Sequence, residues 1–487
     1  MSMAEEKSVL SKFTVVDSAV PEYFFDERTK LFWLRNRKGF WVSVKEMSFK
    51  RHLSRLGLSD FKQGDQTLSE LEALVNETEL ENRVAYAGPL AGHWSGPKDV
   101  CGNMVLITED PKLIPPIEPR AGDAGLPEGE LLLSKYDCRG WPTVGKIMKN
   151  LLWDDSVGDI QLERYFGYVR HILDCLYDKH LSKVIALMIA GERECGKTLL
   201  FNDIHSQLFG GKIAKPYDWM IGKENFNGEL LGSVLLTVDD EVNNTHMDAR
   251  NTLGEKLKKM VANSEQRIRG MHREGFTVNP LWAPTVMVNL EPANLLILPP
   301  IEEDNADKFM IWKAFKRPMP MPAETVTQRK AFWGTIMQEL PRFVWWLRNE
   351  WETPEVIQGR FGVRHWHHPE IVEQLMKLSP AWVLWEMIKR TIFVDATMYQ
   401  NPKTKTLFEG NEWMGTIEDL RAYLTDTKYE DGGRPKLSLE EARGLPQAQW
   451  LGRRLTKLAD KFPASISQVR TNTTRYWHIK APEEVDG

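Results

Sequence analysis

The feature that most constrains this chain is Gly191-Glu192-Arg193-Glu194-Cys195-Gly196-Lys197-Thr198, which directly follows the unbroken apolar run Val184–Ala190. It fits G-x-x-x-x-G-K-[ST] at every fixed position. The apolar run has strand length, and Leu200, Ile204 and Leu208 at spacing four predict a helix after the loop. Strand, glycine loop and helix in that order build a phosphate cradle. Glycines let the backbone curl until its N–H groups converge on an anion, and the helix N-terminus adds partial positive charge. In such a cradle Lys197 reaches the β- and γ-phosphates, and Thr198 offers its hydroxyl to Mg²⁺. The expected phosphate contacts run from Gly191 through Leu199.

Two more strand-like runs end in polar groups. Val234–Val238 leads into Asp239-Asp240-Glu241, with Asp240 lying 42 residues after Thr198. A carboxylate at such a strand end holds a metal through water, and a following Glu polarises the attacking water. Asp240 is assigned to the metal and Glu241 to the water, and Asp239 replaces Asp240 if the register is off by one. Pro284–Val288 then ends in Asn289, 48 residues after Glu241. An amide there can bond the γ-phosphate or orient the water. Between these strands, residues 255–280 hold six basic and three acidic side chains, a net of +3. The pattern predicts a helix and then a hairpin turning near Gly270, with Arg267, Arg269, His272 and Arg273 near its tip. Basic groups there suit the backbone of a DNA strand.

In this order and spacing the pieces resemble the superfamily 3 helicases, most closely the helicase part of phage and plasmid primase-helicases and the poxvirus-type replicative ATPases. The resemblance is specific over about residues 150–345. It implies an AAA+-like P-loop core in an α/β fold, ATP and Mg²⁺ as cofactors, and a homo-oligomeric ring, usually a hexamer. It further implies ATP shared between neighbouring subunits and movement along single-stranded DNA. Such proteins commonly carry an Asp-Arg-Arg-Phe-like stretch whose Arg reaches the next subunit's ATP. Here the stretch reads Asp304-Asn-Ala-Asp307-Lys308-Phe309. Lys308 is the expected finger, without the bidentate fork of an Arg, and Arg317 is the other candidate.

The chain of 487 residues allows roughly three domains. The expected layout is an N-terminal accessory domain (1–150), the ATPase (151–348), a linker and helix (349–400) and a winged-helix-like domain (401–487). Paired strands are expected over Tyr23–Val44, an acidic helix over Leu68–Leu80, and loop-rich chain from Gly88 to Gly129. No primase constellation precedes residue 150. Residues 451–480 carry seven basic side chains and one acid, although the whole chain has a net charge of −5. A helix there would place Leu451, Leu455 and Leu458 inward and Arg453, Arg454 and Lys457 outward, toward duplex DNA.

His365, His367 and His368 lack a metal-ligand partner set and read as linker packing. The tryptophans read mostly as core, with Trp282, just past the hairpin, a candidate base contact. Cys101, Cys138, Cys175 and Cys195 form no CxxC pair, as in a reducing compartment. No apolar run approaches the ~20 residues of a membrane span. The expected setting is the cytoplasm of a bacterial host cell, with a primase or other replication proteins as candidate partners. The rival readings are a nucleotide-gated DNA-binding initiator or regulator, and an anti-phage ATPase without unwinding activity.

Overall fold

The computed structural model describes residues 23–62, 67–239, 246–270, 275–301, 304–392, 412–425, 437, 445–470 and 474–481. The chain forms two compact units, Met1–Ile371 and Val372–Gly487.

Aromatic and aliphatic residues near the start of the described chain make a meander, β1 (Tyr23–Asp26), β2 (Leu31–Arg35) and β3 (Trp41–Val44), joined by β4 (Arg83–Val84) in the order β3-β2-β1-β4. The buried Asp26 carboxylate closes the first turn, accepting from the Arg28 N–H at 3.0 Å and the Thr29 hydroxyl at 2.6 Å. The acidic helix forms over Glu70–Leu80 with a Ser69–Glu72 capping box. Its Leu71, Leu74 and Val75 pack with Phe25, Phe32 and Phe49, so the apolar side of this helix belongs to the core.

Residues 88–107 correct part of one expectation, while 108–127 are loop as expected. A three-stranded sheet lies here, in the order β5-β7-β6, from β5 (Tyr86–Gly88), β6 (Gly96–Val100) and β7 (Asn103–Ile107). Gly96 and Pro97 in β6 disguise an edge strand as loop. The segment joins the central domain through the Ala91 N–H to the Leu231 carbonyl at 2.6 Å and the Leu281 N–H to the Ala91 carbonyl at 3.0 Å.

The central sheet contains β8 (Ala186–Gly191), β9 (Ile213–Ala214), β10 (Leu235–Asp239), β13 (Ala283–Asn289) and β14 (Phe309–Ala314). All pairings are parallel, in the order β14-β8-β13-β10-β9. Sheets buried on both faces need continuous apolar strands, and every residue of β8 and β13 is buried. β11 (Gln266–Ile268) and β12 (Phe276–Val278) form a separate antiparallel hairpin. Helices Pro142–Leu152, Ile160–Tyr177 and Val326–Asn349 supply an aromatic core in which Trp141 lies 5.0 Å from Phe343 and Phe166 lies 5.3 Å from Trp346.

Residues 349–370 are structured, with a short hairpin of β15 (Gln358–Gly359) and β16 (Gly362–Val363). Trp366 and His368 run along β14: the Ile311 N–H reaches the Trp366 carbonyl at 3.0 Å, and the His368 N–H reaches the Ile311 carbonyl at 2.8 Å. The buried Gln161 amide bonds both backbone groups of Lys313, at 3.0 and 2.7 Å, and the His367 ring lies 3.0 Å from the Phe309 carbonyl.

The second unit packs helices Pro380–Ile392, Ile417–Thr425 and Ala448–Lys461 against a sheet of β17 (Glu412–Gly415), β18 (Ile466–Arg470) and β19 (Arg475–Lys480), in the order β17-β19-β18. Trp385, Trp413, Leu420, Leu451, Leu455 and Trp477 share its core.

Candidate functional site

Strand register assembles the site. Asn289 lies opposite Gly191 on adjacent strands, and Asp239 lies opposite Met287 on the next. Loop 191–198, the Asn289 amide and the Asp239 carboxylate therefore converge at the carboxyl ends of three neighbouring parallel strands. Crevices at that end of open α/β sheets are where ligands bind. The loop is tight: a Cβ on Gly191 would sit 2.7 Å from both the Ala314 Cβ and its carbonyl. Glu194 at φ 59° and Gly196 at φ 99° turn the backbone through left-handed conformations.

Lys197 is only 6% exposed. Its amine donates to the Gly191 carbonyl at 2.9 Å, the Glu192 carbonyl at 2.8 Å and the Asn289 Oδ1 at 3.0 Å, and lies 3.8 Å from the Cys195 sulfur. Each of these acceptors is neutral, so the ammonium charge is positioned without being cancelled by them. Asn289 is itself 5% exposed. The Thr198 hydroxyl donates to Asp239 Oδ2 at 3.3 Å. Asp240 and Glu241 lie outside the described residues.

A hydroxyl and a carboxylate so close are a hard-oxygen pair suited to Mg²⁺, which is usually held by one or two protein oxygens plus phosphate oxygens. Among the described residues no group of three or more His, Cys, Asp and Glu is placed to hold a metal ion.

After Thr198 the helix differs from the expected regular one. Residues Leu199–Ile204 form a π-helix, and the His205 N–H reaches back to the Leu200 carbonyl. In an α-helix residue 203 would sit about 140° around the axis from residue 198. Bonds spanning five residues instead bring it back toward the same side. Burial, reinforced by Asp239, pushes the Asp203 carboxyl up.

The two finger candidates occupy opposite ends of one strand. Lys308 precedes β14, donating to the Asp304 carbonyl at 2.8 Å and the Asp307 carboxylate at 2.5 Å. Arg317 follows β14 on the glycine-loop side, its guanidinium 5.3 Å from the Trp153 ring centroid and 5.5 Å from that of Phe315.

Arg267 and Arg269 are exposed on the first limb of the β11–β12 hairpin. His272 and Arg273 lie outside the described residues. The limb is threaded by Asn227, whose side chain accepts from the Arg269 N–H at 2.7 Å and donates to the Arg267 carbonyl at 3.1 Å. Neighbouring Phe226 is 38% exposed, and the Arg269 guanidinium lies 5.9 Å from its ring. Sequence reasoning missed this aromatic, although a lone Phe in Lys223-Glu-Asn-Phe-Asn-Gly228 was a usable signal. Trp282, the candidate base contact, is 5% exposed and donates to the Leu230 carbonyl at 3.2 Å, in keeping with the core role read for most of the tryptophans.

In the second unit, Leu451, Leu455 and Leu458 of helix Ala448–Lys461 are buried. Arg453 and Lys457 are exposed and Arg454 is half-buried. Trp450, 52% exposed, stacks under Arg453 at 4.6 Å.

The profile of a family of unknown function, DUF5906, matches residues 189–295, which span the loop, the Asp239 strand, the hairpin and Asn289. No curated protein matches the chain. Among solved structures, the NrS-1 C terminal region (305-718) aligns at TM-score 0.54 and 13% identity over 98% of this chain and 100% of that one. A second form of the NrS-1 C terminal region aligns at TM-score 0.50 and 12% identity over 94% and 96%. These likenesses place this chain in the same mixed α/β fold. A JCV helicase aligns at TM-score 0.23 and 12% identity over 48% of this chain and 65% of that one, too slight a likeness to argue from.

Proposed function

We propose that this protein is an ATP-dependent DNA helicase of the superfamily 3 type, built on an AAA+-like P-loop core, ring-forming and acting in the replication of a phage, plasmid or integrated element. The observation that carries the reading is the 3.0 Å bond between Lys197 and Asn289. It joins the glycine loop to the strand end where the sequence pattern puts a γ-phosphate sensor.

Within this reading the N–H groups of 193–198 cradle the phosphates, and Lys197 spans the β- and γ-positions. Thr198 and Asp239 are the residues that would hold Mg²⁺, whose contribution is to neutralise charge developing on the phosphates. Asp239 takes the place first given to Asp240 because its carboxylate meets Thr198. Asp240 or Glu241 then accepts the proton of the attacking water. Asn289 keeps the Lys197 amine and the terminal phosphate in line. Lys308, at the end of β14 away from the loop, is suited to reach a neighbouring subunit's nucleotide. Arg317, beside the loop, belongs to its own.

The hairpin supplies the grip on DNA, with Arg267 and Arg269 on phosphates and Phe226 beneath a base. The second unit is winged-helix-like. Its cationic helix favours an added duplex-binding role, as in an initiator. Unwinding of a forked duplex by the full chain tests the whole reading. Strand separation with ATP, lost in Lys197→Ala, supports it. ATP hydrolysis and DNA binding without strand separation would favour the initiator.

A further inference from the structure

The glycine loop carries two carboxylates, Glu192 and Glu194. Glu194 sits at the left-handed crest of the loop, and its side chain is 89% exposed. Like charge beside a triphosphate is unfavourable. The basic residue between the two glutamates does not offset it, because Arg193 is committed to Glu291 at 2.8 Å. Hydrogen bonds from its own backbone N–H and from Asn294, together with Arg193, hold the Glu291 carboxyl low.

The cation that does meet Glu194 comes from another strand. Lys316 lies two residues beyond β14, with its amine 3.9 Å from Glu194 Oε2. The segment carrying it lies along the loop. At one end Ala314 is opposite Gly191. At the other, a Cβ on Gly196 would lie 2.6 Å from the Met319 methyl. Its backbone is fixed from outside: the Phe315 N–H bonds the Leu151 carbonyl at 2.9 Å, and the Asn150 amide bonds the Pro318 carbonyl at 2.8 Å. Lys316 is thus a half-exposed, four-carbon side chain on an anchored backbone, in a loose ion pair beyond hydrogen-bond length.

We propose that Lys316 is a second phosphate-contacting cation acting within its own subunit, paired with Glu194 when the nucleotide ends at the β-phosphate and drawn to the γ-phosphate when a triphosphate fills the loop. This rests on the nucleotide reading of the glycine loop. The physical basis is competition. A terminal phosphate offers about two negative charges and three acceptor oxygens, whereas Glu194 offers one charge in open solvent. A charge-assisted bond to phosphate is shorter and stronger than a 3.9 Å ion pair. Diphosphate supplies no such competitor. Lys316 therefore favours ATP over ADP, while Lys197 holds both.

The test is equilibrium binding of a fluorescent non-hydrolysable triphosphate and of fluorescent ADP to the full chain. Exposed charged contacts are worth up to ~1 kcal/mol, about fivefold. Lys316→Ala should weaken the triphosphate by about three- to fivefold and leave ADP within about twofold. Glu194→Gln should tighten the triphosphate, because the amine no longer has a rival partner. Unchanged thermal melting of both variants confirms that their folds are intact. An unchanged triphosphate-to-diphosphate ratio in Lys316→Ala, or equal weakening of both ligands, overturns the proposal. Lys197→Ala separates the two levels: it should lose both nucleotides, and retained binding would instead overturn the nucleotide reading beneath the proposal.

Discussion

Lys197 and Arg269 carry the same charge in opposite circumstances. Lys197 is buried, with its amine fixed by three oxygens. Arg269 is exposed on a hairpin limb, beside one aromatic ring. The first cation acts through position, in surroundings where one missing contact has no substitute. The second acts through charge in water, where neighbours share the load and salt screens it. The sheet-end site should therefore respond to single substitutions by orders of magnitude and hardly to salt. The hairpin and the helix Ala448–Lys461 should do the reverse.

The largest effect should come from Lys197→Ala, which removes the fixed cation and should lower ATP hydrolysis by about 10³ in a steady-state phosphate-release assay. Asn289→Ala should follow at about 10². If both variants hydrolysed ATP like the parent, the contrast would collapse. Asp239→Asn should raise the Mg²⁺ concentration needed for nucleotide binding. If Asp240→Asn does so instead, the metal carboxylate lies one residue further along the chain.

The hairpin side comes next. Arg267→Ala with Arg269→Ala should weaken single-strand binding, and each lost phosphate contact should flatten the salt dependence by about 0.7 in log–log slope. Basal hydrolysis should persist while its stimulation by DNA falls. A salt slope equal to the parent's would mean that the limb touches no phosphate.

Acid offers a second way to separate the regions. His205, fully buried with its ring 3.2 Å from the Tyr165 hydroxyl, is pushed down to about 3 by burial. The folded state refuses a proton that the unfolded chain accepts below about pH 6.5. Stability is therefore intact above that pH and falls by about 1.4 kcal/mol per unit as pH drops toward 3. Melting temperatures of the parent and His205→Gln should converge on acidification, with the variant's curve the flatter. Parallel curves would relieve His205 of this role. The smallest change should be a few-fold loss of duplex affinity in Arg453→Ala with Lys457→Ala, exposed groups with weak individual contributions.

How much of this was legible in the sequence depended on range. The strands ending at Gly191, Asp239 and Asn289 could be read directly, because continuous apolar runs are what a doubly covered parallel sheet demands. The bond from Lys197 to Asn289 could be anticipated as a role but not as a contact, since it spans 92 residues and depends on strand order. The π-turn at Leu199–Ile204 was invisible: Leu200, Ile204 and Leu208 fit ordinary helical spacing, and the widening is decided by packing. β6 was hidden by its own Gly and Pro. Lys316 had no local signal, because its partner belongs to another strand.

The hydrogen bonds along the outer side of β14 have a consequence for assembly. An uncovered edge strand is a template onto which another chain can add. Here the segment around Trp366 and His368, the Gln161 amide and the His367 ring occupy that template at Phe309, Ile311 and Lys313. A second copy cannot extend the sheet there without first stripping this lining away. A neighbouring copy arriving at this edge would therefore meet side chains and an already paired backbone, not an open ladder that could run on from one molecule into the next.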